Sequence, residues 1–224
     1  MNSKLIVMLT HNDKTVINAN EVFDSCKDLS VDFWGFKDVG LPENEMRALV
    51  LNMRKAQKKT FLEVVSYTEA ECMNGAKLAV DMGFDYLMGT LFYDKVWDFL
   101  KDKPIKYMPF VGNVYGSPSI LEGSIQDIVN QGKSLAMKGV FGFDILAYRH
   151  NENPEQLAKD FVKEMHVPVV IAGSIGNRER IEKMSKINPW GFTMGSALFT
   201  RNFVKGGSIR NNLEKVVEIM SQLD

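Results

Sequence analysis

What most constrains the fold of this 224-residue chain is a regular alternation of short apolar runs with longer amphipathic segments. The runs occupy residues 5–10, 32–39, 60–66, 86–90, 106–112, 140–146, 167–172 and 191–195. Between residues 5 and 191 the seven intervals average about 27 residues, the length of one strand–helix unit. Runs that are apolar throughout suit parallel strands covered by helices on both faces. Eight such units predict an α/β chain forming a single (β/α)8 (TIM) barrel over residues 1–224, a fold that needs roughly 200–250 residues. An open doubly wound sheet is the alternative, but no GxGxxG follows the first run.

The intervening segments carry helix signals. Met46, Leu49, Val50 and Met53 fall on one face, as do Ile125, Ile128, Val129 and Gly132. Ile209, Leu213, Val216, Val217 and Met220 form a third stripe near the C-terminus. Thr68 with Glu71 matches a capping box, and Ser124 with Asp127 matches it less strictly. Asn153-Pro154-Glu155 orders a cap, a first-turn proline and an acid for a helix start. Shorter helices are expected at 94–101 and 179–187.

Composition narrows the partners. Against 28 Asp+Glu stand 27 Lys+Arg, with no basic block, so nothing marks a DNA-binding surface. No apolar stretch approaches the roughly 20 residues needed to span a bilayer, and the N-terminal apolar run is too short for a signal peptide. Two cysteines, Cys26 and Cys72, make no disulfide framework or zinc spacing and predict buried thiols in a reducing, cytoplasmic setting. The 13 methionines and the aromatic strands read as core, with no cofactor implied. A homo-oligomer stays open.

The sharpest chemical signal lies in the last two runs. Residues 167–176 end in Ala172-Gly173-Ser174-Ile175, and residues 190–199 carry Gly195-Ser196-Ala197-Leu198. In a barrel these turns follow strands seven and eight, where phosphates are frequently bound. Glycine lets backbone N–H groups approach phosphate oxygens closely. Over about 35 residues this pattern resembles the phosphate-gripping end of the ribulose-phosphate-binding barrel superfamily. The resemblance implies a phosphorylated small-molecule partner and assigns the phosphate contacts to Gly173, Ser174, Gly195 and Ser196.

Charged residues near the ends of barrel strands are the catalytic candidates. Lys37, Glu63 and Asp144 each interrupt an apolar run, where a charge is costly unless paired or facing a polar cavity. Two-residue alternation turns Gly35, Lys37 and Val39 inward and Asp38 toward the helices. A lysine among carboxylates can stabilise an enediolate, act in acid–base catalysis or, when neutral, form a Schiff base; it can also be a structural ion pair. His11, directly after the first run, is a substrate-binding candidate, whereas Asn12 and Asp13 read as cap and loop residues. His150 and His166 read as surface or packing residues. Residues 112–123 form the longest irregular loop and are a candidate lid.

Two family patterns are absent. The second run lacks the His-x-Asp of metal-dependent ribulose-phosphate epimerases. Gly35 stands where the hexulose-phosphate decarboxylase group has the first Asp of Asp-x-Lys-x-x-Asp. No metal is therefore assigned. The sequence points to an enzyme moving a proton beside a carbonyl, an isomerase or epimerase of a phosphorylated sugar or related metabolite. A Lys37 aldolase or lyase is one alternative, and a non-enzymatic phosphometabolite sensor of the glycerol-phosphate antiterminator type is the other.

Overall fold

A computed structural model describes residues 3–223 and turns each apolar run into one strand. These are β1 (Lys4–Met8), β2 (Phe33–Lys37), β3 (Lys59–Val64), β4 (Tyr86–Gly89), β5 (Lys106–Met108), β6 (Phe143–Ile145), β7 (Val169–Ile171) and β8 (Gly191–Met194). All pair in parallel, in the order β6-β7-β8-β1-β2-β3-β4-β5. Two hydrogen bonds draw the ring together between β5 and β6: Phe141 N–H donates to the Tyr107 carbonyl at 3.0 Å, and Asp144 N–H to that of Pro109 at 3.1 Å. The described residues thus form a (β/α)8 barrel.

The helices are α1 (Ala19–Cys26), α2 (Glu43–Lys55), α3 (Glu69–Met82), α4 (Asp94–Leu100), α5 (Ile125–Lys138), α6 (Pro154–Glu164), α7 (Arg178–Ile187), α8 (Ser196–Phe199) and α9 (Ile209–Ser221). Their starts follow local chemistry. Thr68 and Glu71 close a capping box on α3, and Asn153 accepts from the Gln156 N–H ahead of Pro154 on α6. Helix α2 buries Met46, Leu49, Val50 and Met53, the predicted stripe. Helix α9 is rotated from its predicted face and buries Asn212 with Leu213, Val216 and Ile219. The polar side chain is tolerated because its oxygen accepts from the N–H groups of Phe203 and Val204 at 3.0 and 2.9 Å. No described helix is long and apolar enough to cross a membrane.

Residues 112–123 are not irregular. Asn113–Tyr115 pairs antiparallel with Ile120–Glu122, and the Tyr67 hydroxyl anchors the hairpin by donating to the Gly116 carbonyl at 2.9 Å.

Alternation along the strands separates two cores. One fills the space between strands and helices; the other, built on Ile6, Met8, Phe61, Tyr86, Met88, Met108 and Val170, fills the barrel itself. Where the strands begin, Phe33, Phe61, Tyr86, Phe141 and Trp190 pack into an aromatic floor, with Phe61 and Tyr86 stacked at 4.2 Å. With that end plugged by rings, the inward-facing charges gather at the strand C-termini.

Candidate active site

The register between β2 and β3 sets Lys37 directly beside Glu63. Both are more than nine-tenths buried, and Lys37 Nζ lies 3.8 Å from Glu63 Oε1. Gly35, two residues earlier on the same face, is required by crowding: a Cβ there would lie 2.7 Å from Met8 Sδ and 2.9 Å from Phe61 Cβ. Above it, the Thr15 hydroxyl accepts from Lys37 N–H at 2.9 Å and donates to its carbonyl at 2.7 Å, fixing the backbone from which the ammonium extends.

Thr15 belongs to a small hairpin, Thr10–His11 paired with Lys14–Thr15. Its two central residues, Asn12 and Asp13, have φ of +50° and +59°, the left-handed pair of a type I′ turn. That turn aims Asp13 at the barrel mouth. Its Oδ1 accepts from Lys37 Nζ at 3.1 Å and lies 3.8 Å from Arg149 Nη2. Burial alone would raise the Asp13 carboxyl, but the Lys37 ammonium and Arg149 guanidinium outweigh it and hold the group below the usual range. For Lys37, burial favours the neutral amine, yet Glu63 and Asp13 overcome it and hold the ammonium above its usual range.

Opposite this cluster lie the two glycine-bearing turns. Gly173 and Ser174 adopt φ of +81° and +58°, and a Cβ on Gly173 would meet Arg149 Nε at 2.9 Å. The turns abut: a Cβ on Gly176 would lie 3.1 Å from that of Ala197, and Asn202 Nδ2 donates to the Gly176 carbonyl at 3.0 Å. The N–H groups of Ser174, Ile175 and Gly176 are taken by no acceptor among the described residues. Turns, cluster and strand ends enclose one cavity of about 450 Å³, a size suited to a small metabolite.

Of the residues expected from sequence, Lys37, Glu63, Gly173, Ser174, Gly195 and Ser196 line this cavity. His11 does not. Its ring stacks on Phe199 at 6.0 Å, drawn outward by the hairpin. Asp144 is fully buried behind the lining, and neither carboxylate oxygen has a hydrogen-bond partner among the described residues. Burial pushes its carboxyl well above the carboxylate range, and the Glu63 charge reinforces this against the weaker pull of Lys37 and Arg149. Asp13, Arg149 and Asn202 join the site without having been expected. The Asn-Asp pair between Thr10-His11 and Lys14-Thr15 is itself a type I′ signature that could have revealed Asp13; Arg149 and Asn202 leave no comparable local signal. Among the described residues no group of three or more His, Cys, Asp or Glu is placed to hold a metal ion.

The Asp144 environment has a measurable consequence. The unfolded chain gives up this proton near the ordinary carboxylate value, whereas the folded chain holds it to higher pH. The group's stabilising contribution is therefore complete below the unfolded value and is lost as pH rises toward the folded one. Asp144→Asn cannot ionise, so the Tm difference, variant minus wild type, is expected to be more positive at pH 8 than at pH 4. Parallel Tm–pH curves would show an ionised Asp144 in the folded protein.

No protein-family model matches the chain, and no curated protein is similar to it in sequence. Solved structures do match. Orotidine 5'-phosphate decarboxylase from Pyrococcus horikoshii OT3 superposes with a TM-score of 0.70 at 9% identity, covering 97% of this chain and 99% of that one. For 3-hexulose-6-phosphate synthase from Salmonella typhimurium the values are 0.68 and 14%, covering 99% and 100%. The chain shares the (β/α)8 barrel fold of these proteins. A third such neighbour, from Thermoplasma acidophilum, is (S)-3-O-geranylgeranylglyceryl phosphate synthase in complex with sn-glycerol-1-phosphate, with a TM-score of 0.62 at 12% identity over 99% of this chain and 94% of that one.

Proposed function

We propose that this barrel is an enzyme acting on a small phosphorylated carbonyl compound, moving a proton on the carbon next to the carbonyl and so isomerising or epimerising it. The observation that carries the reading is a lysine kept cationic between two carboxylates in the same cavity as two converging glycine-bearing turns. The phosphate would sit against Gly173, Ser174, Gly195 and Ser196, where backbone N–H groups and close approach are available. The names of the structural neighbours, which speak of phosphorylated compounds, agree with a ligand of this kind.

The chemistry divides among the three charges at the cavity floor. Asp13, held low and tied to Lys37 at 3.1 Å, is a weak base and orients the ammonium. Glu63 makes only the longer 3.8 Å contact and is the base that takes the proton from carbon. The electron pair left on carbon moves onto the carbonyl oxygen, and the Lys37 ammonium stabilises the resulting enediolate. Passing the neighbouring hydroxyl proton to the former carbonyl oxygen, and returning the abstracted proton to the former carbonyl carbon, isomerises the substrate; delivery of a proton to the opposite face of the original carbon epimerises it. Asp144 lies behind the lining, and burial raises its carboxyl well above the carboxylate range, which disfavours a third negative charge beside Lys37.

A Schiff base on Lys37 requires the neutral amine, which the two flanking carboxylates oppose. The test is incubation with phosphorylated three- to six-carbon sugars in D2O, preceded by a thermal-shift screen to find those that bind. Deuterium should appear on the carbon beside the carbonyl, and borohydride should trap no Lys37 adduct. A trapped adduct would turn the assignment to the aldolase, and ligand-induced stabilisation without exchange or turnover would turn it to the sensor.

A further inference from the structure

Among the described residues, Arg149 is the one cation at the cavity without a close partner. Its Nη2 stands 3.8 Å from Asp13, whose carboxylate is already held by Lys37 at 3.1 Å, and its Nη1 reaches only the Ser119 carbonyl at 3.4 Å. The side chain is three-quarters buried, so water does little to satisfy a fork of five N–H donors. Its stem packs against Gly173, on the face where only glycine leaves room.

Arg149 also borders a second space. Residues 116–120 of the hairpin, together with Arg149 and Ser174, wall a groove of about 570 Å³ that adjoins the main cavity across these two side chains. The hairpin is a fixed wall. The Tyr67 hydroxyl holds its tip at Gly116 and Ser119 at 2.9 and 2.8 Å, and the His150 ring nitrogen Nε2 meets the Gly123 carbonyl at 2.9 Å. A guanidinium positioned between two such spaces, with both flanks loosely engaged, suits a carboxylate or phosphate bound through paired N–H donors.

We propose that the substrate carries a second anionic group, which Arg149 receives at the entrance to this groove while the two glycine-bearing turns hold the phosphate. The inference rests on the reading of those turns as the phosphate site and narrows the substrate class to compounds anionic at both ends. A carboxylate and a second phosphate share the chemistry Arg149 recognises, and length separates them.

The test is calorimetric titration of the intact protein with three kinds of probe: glycerol 3-phosphate as the single anion, 3-phosphoglycerate and 6-phosphogluconate as carboxylate-bearing phosphates, and fructose 1,6-bisphosphate. The wild type is expected to bind at least one doubly anionic probe tenfold or more tightly than glycerol 3-phosphate. In Arg149→Gln that ratio should collapse to less than twofold, and Arg149→Lys, which keeps the charge but not the fork, should fall between. Preference for the carboxylates or for the bisphosphate identifies the second group. Equal binding of single and double anions by the wild type overturns the proposal, as does a loss in Arg149→Gln that is the same for both, which would place Arg149 on the turn-held phosphate. Inorganic phosphate separates the two readings: if it too fails to bind the wild type, the phosphate site falls along with the Arg149 assignment.

Discussion

Lys37→Met is expected to lower turnover by roughly 10³-fold while the barrel stays folded and inorganic phosphate still binds. Methionine reproduces the length of the lysine stem and its flexibility, so the space the stem occupies remains filled. What disappears is the charge. The ammonium lies 3.1 Å from Asp13 and 3.8 Å from Glu63, and no other cation among the described residues comes within 4.0 Å of Glu63. Without it the enediolate oxygen loses its electrostatic partner. The buried Glu63 carboxylate loses the cation that faces it at 3.8 Å and orients it for proton abstraction. The two losses act in one step, so they do not add as independent mutations would. Steady-state kinetics on the substrate found by the exchange experiment, with phosphate titration as the control for folding and binding, decides the matter. Turnover within tenfold of wild type would remove Lys37 from the chemistry.

The barrel was legible because its cause is periodic. Eight apolar runs cannot be buried singly, and their spacing leaves room for one covering helix each, so each run appears as a strand in sequence order. Lys37 and Glu63 were legible for a related reason, since a charge inside an apolar run must answer to something. The same reasoning singled out Asp144 but could not tell the cavity wall from the layer behind it, because depth depends on how strands tilt. His11 misleads because a two-residue hairpin intervenes immediately after β1 and turns its ring onto Phe199. The same hairpin brings in Asp13, and its Asn12-Asp13 turn was available to be read. Arg149 was not available. It ends a single 3-10 turn, Ala147–Arg149, and what matters about it is its reach to Asp13, Ser119 and Gly173, which are far apart in sequence. Contacts of that kind come from closure of the ring, which local pattern does not encode.

Closure depends on the aromatic floor, so Phe61→Ala is expected to be the most damaging single truncation of the inner core. Phe61 is completely buried, stacks on Tyr86 at 4.2 Å with the rings 2° from parallel, and meets Phe33 edge-on at 6.0 Å. The usual relief for such a truncation is inward movement of neighbours. Here the adjoining inward position is Gly35, which has no side chain to move because Phe61 already occupies its space. The hole therefore persists, and the cost should reach about 3–5 kcal/mol. For a chain of this size that lowers Tm by roughly 10 °C. Phe61→Leu, which keeps most of the volume, should cost about 1.5 kcal/mol, and Leu51→Ala, at an exposed helix position, less than about 0.5 kcal/mol. The damage should also reach the chemistry, since Phe61 and Glu63 occupy successive inward positions on β3 and the register with Lys37 runs through both. Thermal unfolding of the three variants tests the argument. A Phe61→Ala loss no greater than that of Leu51→Ala would mean that the floor does not hold the strands in place, and the alignment of Glu63 with Lys37 would need another cause.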